Sequence, residues 1–313
     1  MPKILAVVGP TASGKSALAL AIAEEVGGEI VSCDSMQIYR RMNRGTAKPT
    51  EEEMRRVRHH MIDVVEPWES FSCADYERFA KAAIDDIISR GKIPIVCGGT
   101  GLYLESLLRG GLPEIADGDE EYRAKLCSLL EQEGAQYLHK MLEEVDPESA
   151  EAIHMNNTKR VIRALEIYHT SGRKKSELDK ENSSLYEKYE PLAVGIFYPD
   201  RSVLYERIDK RVDVMINDGL LDEVRSLESE GVFERSKTAS MAIGYKELLG
   251  YLHGEIGLEE AVENLKTATR RYAKRQCTWF FAKDYVNKIE IEAPFDKKTF
   301  EKSVKNAKKV FQF

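Results

Sequence analysis

A chain of 313 residues, 42% apolar and 32% charged, holds enough apolar material for one large or two ordinary domains, which excludes a disordered or fibrous protein. Its formal net charge of −7 means that any contact with nucleic acid requires a local basic patch on an acidic protein. The five cysteines (Cys33, Cys73, Cys97, Cys127 and Cys277) are odd in number and form no C-x-x-C pair, which argues against a disulfide framework or a thiolate zinc site and for a reduced cytoplasm.

In chain order, Ile4–Val8 is an apolar run with the length of a buried strand, too short for a signal peptide or a membrane span. Ser16–Val26 reads as a helix stopped by Gly27-Gly28. Glu29–Cys33 is a second strand. Ser72–Arg90 places Phe79, Ala82, Ala83, Ile87 and Ile88 at helical spacing, and Ile93–Cys97 is a third strand. Strands separated by helices of this length predict a parallel sheet covered on both faces. From about Asp117 to 189 the chain is rich in Glu, Lys, Leu and Ala without a convincing strand. Asp146-Pro147-Glu148 starts one helix there, and Asn157 is placed to cap another from Thr158 to about Ser171. Leu192–Phe197 returns a strand to the sheet. Residues 201–281 read as mostly helical, and Lys297–Phe313 as a short basic amphipathic helix. The expected organisation is a core of 1–115 and 190–313 interrupted by a helical insertion at 116–189.

Gly9-Pro10-Thr11-Ala12-Ser13-Gly14-Lys15-Ser16 fits G-x-x-x-x-G-K-[ST] at every fixed position, between a strand and a helix. Glycines let successive backbone N–H groups curl around anionic oxygens, and the helix N-terminus adds a positive dipole end. Lys15 supplies a point charge for the outer phosphate, and Ser16 a hydroxyl for Mg²⁺. The loop thus predicts a bound di- or triphosphate. Asp34 directly follows the second strand, and residues at the C-terminal ends of parallel strands face the ligand crevice. It can take a proton or help hold a metal; alternatively it caps the next helix. The third strand runs into Gly98-Gly99-Thr100 instead of ending in a metal-holding Asp. That weakens an ATP-hydrolysis reading and favours a diphosphate that departs intact.

Together these motifs resemble the tRNA dimethylallyltransferase (tRNA isopentenyltransferase) family. The resemblance rests on GPTASGKS at 9–16, DSMQIY at 34–39, GTAKPT at 45–50, HHMID at 59–63 and GGTGLY at 98–103. It continues in NNTKRVIRALE at 156–166, LYERIDKRVDVMINDGL at 204–220 and AKRQCTWF at 273–280, so it spans nearly the whole chain. It implies a P-loop NTPase-like α/β core flanked by helices, with an all-helical insertion domain. The loop residues, Thr11 and Lys15 among them, would hold dimethylallyl diphosphate with Mg²⁺ on Ser16. Asp34 would take a proton from N6 of adenine 37 while N6 attacks the allylic carbon and pyrophosphate leaves. Arg207 or Arg211, four apart on one expected helix face, would add charge at the diphosphate. Asp34, Ser35, Met36 and Gln37 would read the flipped adenine and its neighbours, with Thr100 and Arg123 as further tRNA contacts.

Two basic segments offer the patch that an acidic tRNA-binding protein needs. Lys159, Arg160 and Arg163 share one helix; Lys266, Arg270 and Lys274 form an i, i+4, i+8 row beside Arg271 and Arg275. Trp279 follows, placed to stack or to pack. His59 and His60 read as structural. The competing readings are a nucleotide or small-metabolite kinase, which shares the loop and could use Asp34 as its base, and a nucleotide-regulated RNA-binding module. The expected protein is cytoplasmic and monomeric, with no membrane segment.

Overall fold

The computed structural model describes residues 3–109, 119–182, 190–291 and 296–312. Six strands form one sheet: β1 (Lys3–Val8), β2 (Glu29–Cys33), β3 (His59–His60), β4 (Pro94–Gly98), β5 (Glu190–Phe197) and β6 (Val286–Glu290). All pairings are parallel, in the order β3-β2-β4-β1-β5-β6. β1 lies inside this sheet, and Ile4 to Val8 are each fully buried. A strand covered on both faces needs an unbroken apolar run, and that is what the sequence supplies there.

The first helix, Lys15–Val26, begins after Gly14 (φ +94°) and ends at Gly27 (φ +64°). Cys73–Ser89 starts from a reciprocal capping box between Ser72 and Asp75. Arg201–Asn217 and Leu258–Phe281 pack against each other, and Lys297–Phe311 packs on the first helix and on β5 and β6. The basic tail helix is therefore a core element, with Ala307 and Phe311 buried in the same apolar cluster as Leu5, Val7 and Ile22.

The chain divides into two compact units, Met1–Leu107 with Tyr189–Phe313, and Leu108–Lys188. The junctions expected near 115 and 189 lie outside the described residues. The described part of the second unit is helical: Glu120–Glu133, Ala135–Val145, Pro147–Ala152, Thr158–Ser171 and Lys175–Asn182. Leu126, Leu138, Leu142, Val161 and Leu165 form its core. Buried Asp146 knots it, accepting from the backbone N–H and hydroxyl of both Ser149 and Ser176. Asn157 does occupy an N-cap position, but its side chain makes no capping bond. Among the described residues no helix is long and apolar enough to cross a membrane.

Two strands escaped the sequence reading. β3 is two histidines long, and β6 (VNKIE) buries only Val286 and Ile289. A two-residue strand, and an edge strand with three exposed positions, lack the apolar run that marked the inner strands.

At the outer side of β2, Glu29 is 1% exposed. Its carboxylate meets Arg90 at 2.5 and 2.7 Å, Lys92 at 2.7 Å and the His60 ring at 2.8 Å. The Arg90 bonds, against the opposing effect of burial, hold its pKa well below the usual carboxylate range. A carboxyl with a depressed folded-state pKa adds stability above its unfolded pKa, and that stability disappears as pH falls toward the folded value. Glu29→Gln should cost about 2 kcal/mol in urea unfolding at pH 7. The gap between variant and wild type should narrow as the pH drops below about 4.

Candidate active site

The phosphate loop leaves the C-terminal end of β1. Its backbone is left-handed at Ala12 (φ +60°) and Gly14 (φ +94°). At Gly9 (φ +145°) a Cβ would sit 3.2 Å from the Ser13 hydroxyl and 3.3 Å from the Ile196 carbonyl, so only glycine fits without displacement. Three side chains distant in sequence hold the loop in this curl. The Tyr198 hydroxyl donates to the Ser13 carbonyl at 2.9 Å, and Arg207 Nε to the Ala12 carbonyl at 2.9 Å. Gln276 accepts from the Thr11 N–H at 2.8 Å while its own amide N–H donates to the Gly99 carbonyl at 2.9 Å. Gln276 is buried, and a Cβ at Gly99 would lie 2.1 Å from its amide nitrogen.

Lys15 folds back so that its ammonium donates to the Pro10 carbonyl at 3.3 Å. Burial lowers its pKa, with the Arg211 charge adding to the fall and Cys97 and Asp34 opposing it. Arg211 Nη1 donates to the Thr11 hydroxyl at 3.3 Å, and its pKa is also lowered by burial, against the pull of Asp34. Two partly dehydrated cations beside a carboxylate form a site that favours an added anion.

β2 delivers Asp34 to the same place. Its Oδ1 accepts the Met36 N–H at 2.9 Å, so it closes a tight turn instead of capping a helix. The Thr100 hydroxyl accepts the Ser35 N–H at 3.0 Å, and the Thr100 N–H donates to the Cys33 carbonyl at 3.1 Å. This pairs the loop after β4 with the loop after β2. Thr11, Lys15, Ser16, Asp34 and Arg211 all line one cavity of about 510 Å³. Ser35, Met36, Gln37, Arg271, Tyr272 and Arg275 line it too, together with the apolar side chains of Val212, Met215, Met241, Ile243 and Leu265. Burial, with the nearby Asp34 charge, raises the Tyr272 pKa.

Of the two arginines left open by the sequence, Arg211 lines the cavity, whereas Arg207 grips the loop through Ala12. Gln37 is committed to the protein. Its amide donates to the Thr46 and Ala47 carbonyls at 3.3 and 3.2 Å and accepts from the Ser32 hydroxyl at 2.9 Å. The expected basic row on the late helix is partly neutralised, with Lys266 on Asp213 at 2.6 Å and Arg270 on Asp209 and Glu263 at 2.7 Å each. Lys274 and Arg275 are exposed, and Arg275 lies 5.6 Å from the Tyr272 ring centre. Trp279 packs over the backbone, since a Cβ on Gly101 would fall 2.1 Å from its indole nitrogen. In the helical unit Lys159 and Arg160 are exposed. Arg123 there is clamped on buried Glu166 at 2.5 and 2.8 Å, with Arg163 at 3.6 Å from the same carboxylate. The histidine pair is structural in its contacts: His60 binds Glu29, and the His59 ring meets the Val57 carbonyl at 2.8 Å.

Among the described residues no cluster of three His, Cys, Asp or Glu could hold a metal by itself. The oxygens of Ser16 and Asp34 do line the cavity, and Mg²⁺ typically binds through one or two protein oxygens completed by phosphate and water. The donor set therefore fits Mg²⁺ arriving with a diphosphate. Sequence reasoning missed Gln276, Tyr198 and Tyr272 as site residues, because polar groups on helices and strand ends carry no spacing signal of their own.

The model of the IPP transferase family matches residues 37–283. The tRNA dimethylallyltransferase of Caldanaerobacter subterraneus subsp. tengcongensis is 48% identical over 305 residues, covering 97% of this chain and 96% of that protein. The enzyme of the same name from Geobacillus thermodenitrificans is 47% identical over 311 residues, covering 99% and 96%. Among solved structures, the full-length tRNA isopentenylpyrophosphate transferase of Bacillus halodurans superposes with a TM-score of 0.69 at 41% identity, covering both chains fully. A eukaryotic dimethylallyltransferase acting on tRNA reaches a TM-score of 0.80 at 30% identity over 97% of this chain and 78% of its own.

Gln276→Leu leaves the Thr11 N–H and the Gly99 carbonyl without their partner. It should lower stability by about 1–3 kcal/mol and weaken the binding of inorganic pyrophosphate, both measurable by calorimetry on the purified chain.

Proposed function

The chain belongs to the IPP transferase family, whose members move a dimethylallyl group onto tRNA, and from that membership we propose that it prenylates N6 of adenine 37 in the anticodon loop using dimethylallyl diphosphate. The observation that carries this reading is the shared cavity: the diphosphate-type loop, the Asp34 carboxylate and a wall of apolar side chains all meet there. A five-carbon apolar chain and a purine face suit Val212, Met215, Met241 and Leu265; a diphosphate suits Lys15, Arg211 and the loop amides.

The adenine leaves its stack to reach the cavity. Its N6 attacks C1 of the dimethylallyl group, the C1–O bond breaks, and its electron pair departs with pyrophosphate. The N6 proton passes to Asp34 as general base. Lys15, Arg211 and the backbone N–H groups of residues 14–16 stabilise the charge that develops on the leaving oxygen. Mg²⁺, held by Ser16, would neutralise part of the diphosphate charge when bound. Arg207 shapes the loop from behind through Ala12. Met36, Ser35, Gln37 and Thr100 form the nucleobase side. Lys274 and Arg275 on the late helix, with Arg123, Lys159, Arg160 and Arg163 in the helical domain, supply phosphate contacts. The enzyme would act as a monomer in the cytoplasm, where its tRNA substrate is. The kinase alternative is not favoured: the relatives are prenyltransferases, and β4 ends in Cys97-Gly98 where a kinase would usually place an acidic metal ligand.

Asp34→Ala should lower prenyl transfer by about 10²–10⁴-fold while tRNA affinity stays within a few-fold; unmodified tRNA and dimethylallyl diphosphate are incubated with each variant and the nucleosides weighed by mass spectrometry. Unchanged turnover would remove Asp34 from the mechanism. Arg211→Ala should cost about 10²–10³-fold in kcat, and Arg207→Ala less, because Arg207 acts on the loop and Arg211 at the cavity. An equal or reversed order would overturn that division of roles.

A further inference from the structure

The GTAKPT stretch at 45–50 has no part in the chemistry above, yet Gly45, Thr46, Ala47 and Pro49 line the cavity. Residues 43–49 contain no helix or strand, and Ala47 is left-handed (φ +48°). A wall of this kind holds its shape only if its backbone groups are tied down from elsewhere.

The tie is one carboxylate. Glu223, on the helix Leu220–Ser229, is 9% exposed. It accepts the Asn43 N–H at 3.1 Å, the Arg44 N–H at 2.9 and 3.0 Å and the Gly45 N–H at 3.2 Å. Three successive N–H groups converge on it as they would on a bound anion. Its fourth donor is the hydroxyl of fully buried Tyr245, at 2.8 Å. The Tyr245 ring also fills the space beside Gly45, where a Cβ would lie 2.5 Å from it. Beyond Gly45 the loop hands its order to the site. The Thr46 and Ala47 carbonyls accept the Gln37 amide, and the Ser32 hydroxyl holds the other end of Gln37 at the C-terminal part of β2. Lys48, half-buried, bonds the Tyr39 carbonyl at 2.5 Å, Asn43 at 3.0 Å and Asp63 at 2.6 Å. One chain of contacts thus runs from Glu223 through the loop to Gln37 and stops short of the diphosphate cradle.

We infer that Glu223, supported by Tyr245, is a positioning residue that sets the nucleobase side of the cavity by filling an anion nest in the 43–45 backbone. This rests on the prenyl-transfer reading of the site. The carboxylate matters because three N–H donors need an acceptor with lone pairs on both oxygens. An amide in its place turns one acceptor into a donor facing donors. The effect falls on the tRNA side, since none of these contacts reaches the loop at residues 9–16.

The test uses the full chain with Glu223→Gln and, as the milder change, Tyr245→Phe. Glu223→Gln should lower kcat/KM for tRNA by about 10- to 100-fold, the loss expected for a charged hydrogen-bond acceptor, with the Kd for inorganic pyrophosphate within about threefold of wild type. Tyr245→Phe should lower it by about 3- to 10-fold, again leaving pyrophosphate binding in place. Glu29→Gln, a destabilising change at the far side of the sheet, serves as the control and should leave kcat/KM for tRNA unchanged at a temperature where all variants are folded. Values for Glu223→Gln within about twofold of wild type, a parallel fall in pyrophosphate affinity, or an equal loss in Glu29→Gln would each overturn the inference. Amide hydrogen exchange at residues 43–45 reads the clamp without catalysis: exchange should accelerate in Glu223→Gln, and unchanged exchange would overturn it. A wild-type chain that leaves tRNA unprenylated would instead sink the functional reading, with the exchange measurement still deciding the clamp.

Discussion

At their C-terminal ends β2 and β4 run so close that a Cβ on Gly98 would fall 2.0 Å from the Cys33 carbonyl oxygen. Only glycine permits this approach, and the site depends on it. It lets Thr100 bond the backbone on both sides of Asp34, at Cys33 and Ser35. β1 pairs with β4 on its other side, so the phosphate loop opens beside the same carboxylate. A parallel sheet places all of its strand C-termini at one edge. Here that edge brings the glycine-rich loop and the Asp34 carboxylate to one cavity.

The charge arrangement follows from the same geometry. The chain is acidic overall, and many of its cations are answered locally: Lys266 and Arg270 by Asp213 and Asp209 on the helix packed against theirs and by Glu263 on their own, Arg90 and Lys92 by Glu29. At the cavity, Lys15 and Arg211 instead meet a hydroxyl and a carbonyl. Burial makes both charges costly and lowers the pKa of each, so an anion brought to this point would be favoured.

Long-range polar ties keep the loops in shape. Gln276 lies 265 residues from Thr11, and Glu223 180 residues from Asn43. Each is buried and pairs with backbone groups, so the loops are ordered by helices that also line the cavity or back its wall. Loops fixed this way keep reacting groups oriented at low entropic cost to the reaction.

The sequence by itself determined the sheet interior, the phosphate loop, Asp34 and the helical character of residues 120–182. These are local properties: an apolar run, a glycine pattern, a helical period. Short or polar edge strands such as β3 and β6 left no such mark. Neither did the choice between Arg207 and Arg211, which share a helix face by spacing and differ only in what the fold brings opposite them. The bonding of Gln37 to the Ser32 hydroxyl and the Thr46 and Ala47 carbonyls, the pairing of Lys266 and Arg270 with acids, and the parts played by Gln276, Glu223 and Tyr245 were decided by tertiary structure alone. A side chain's hydrogen-bond partners, near or far along the chain, are fixed by packing, and no periodicity in the chain encodes them.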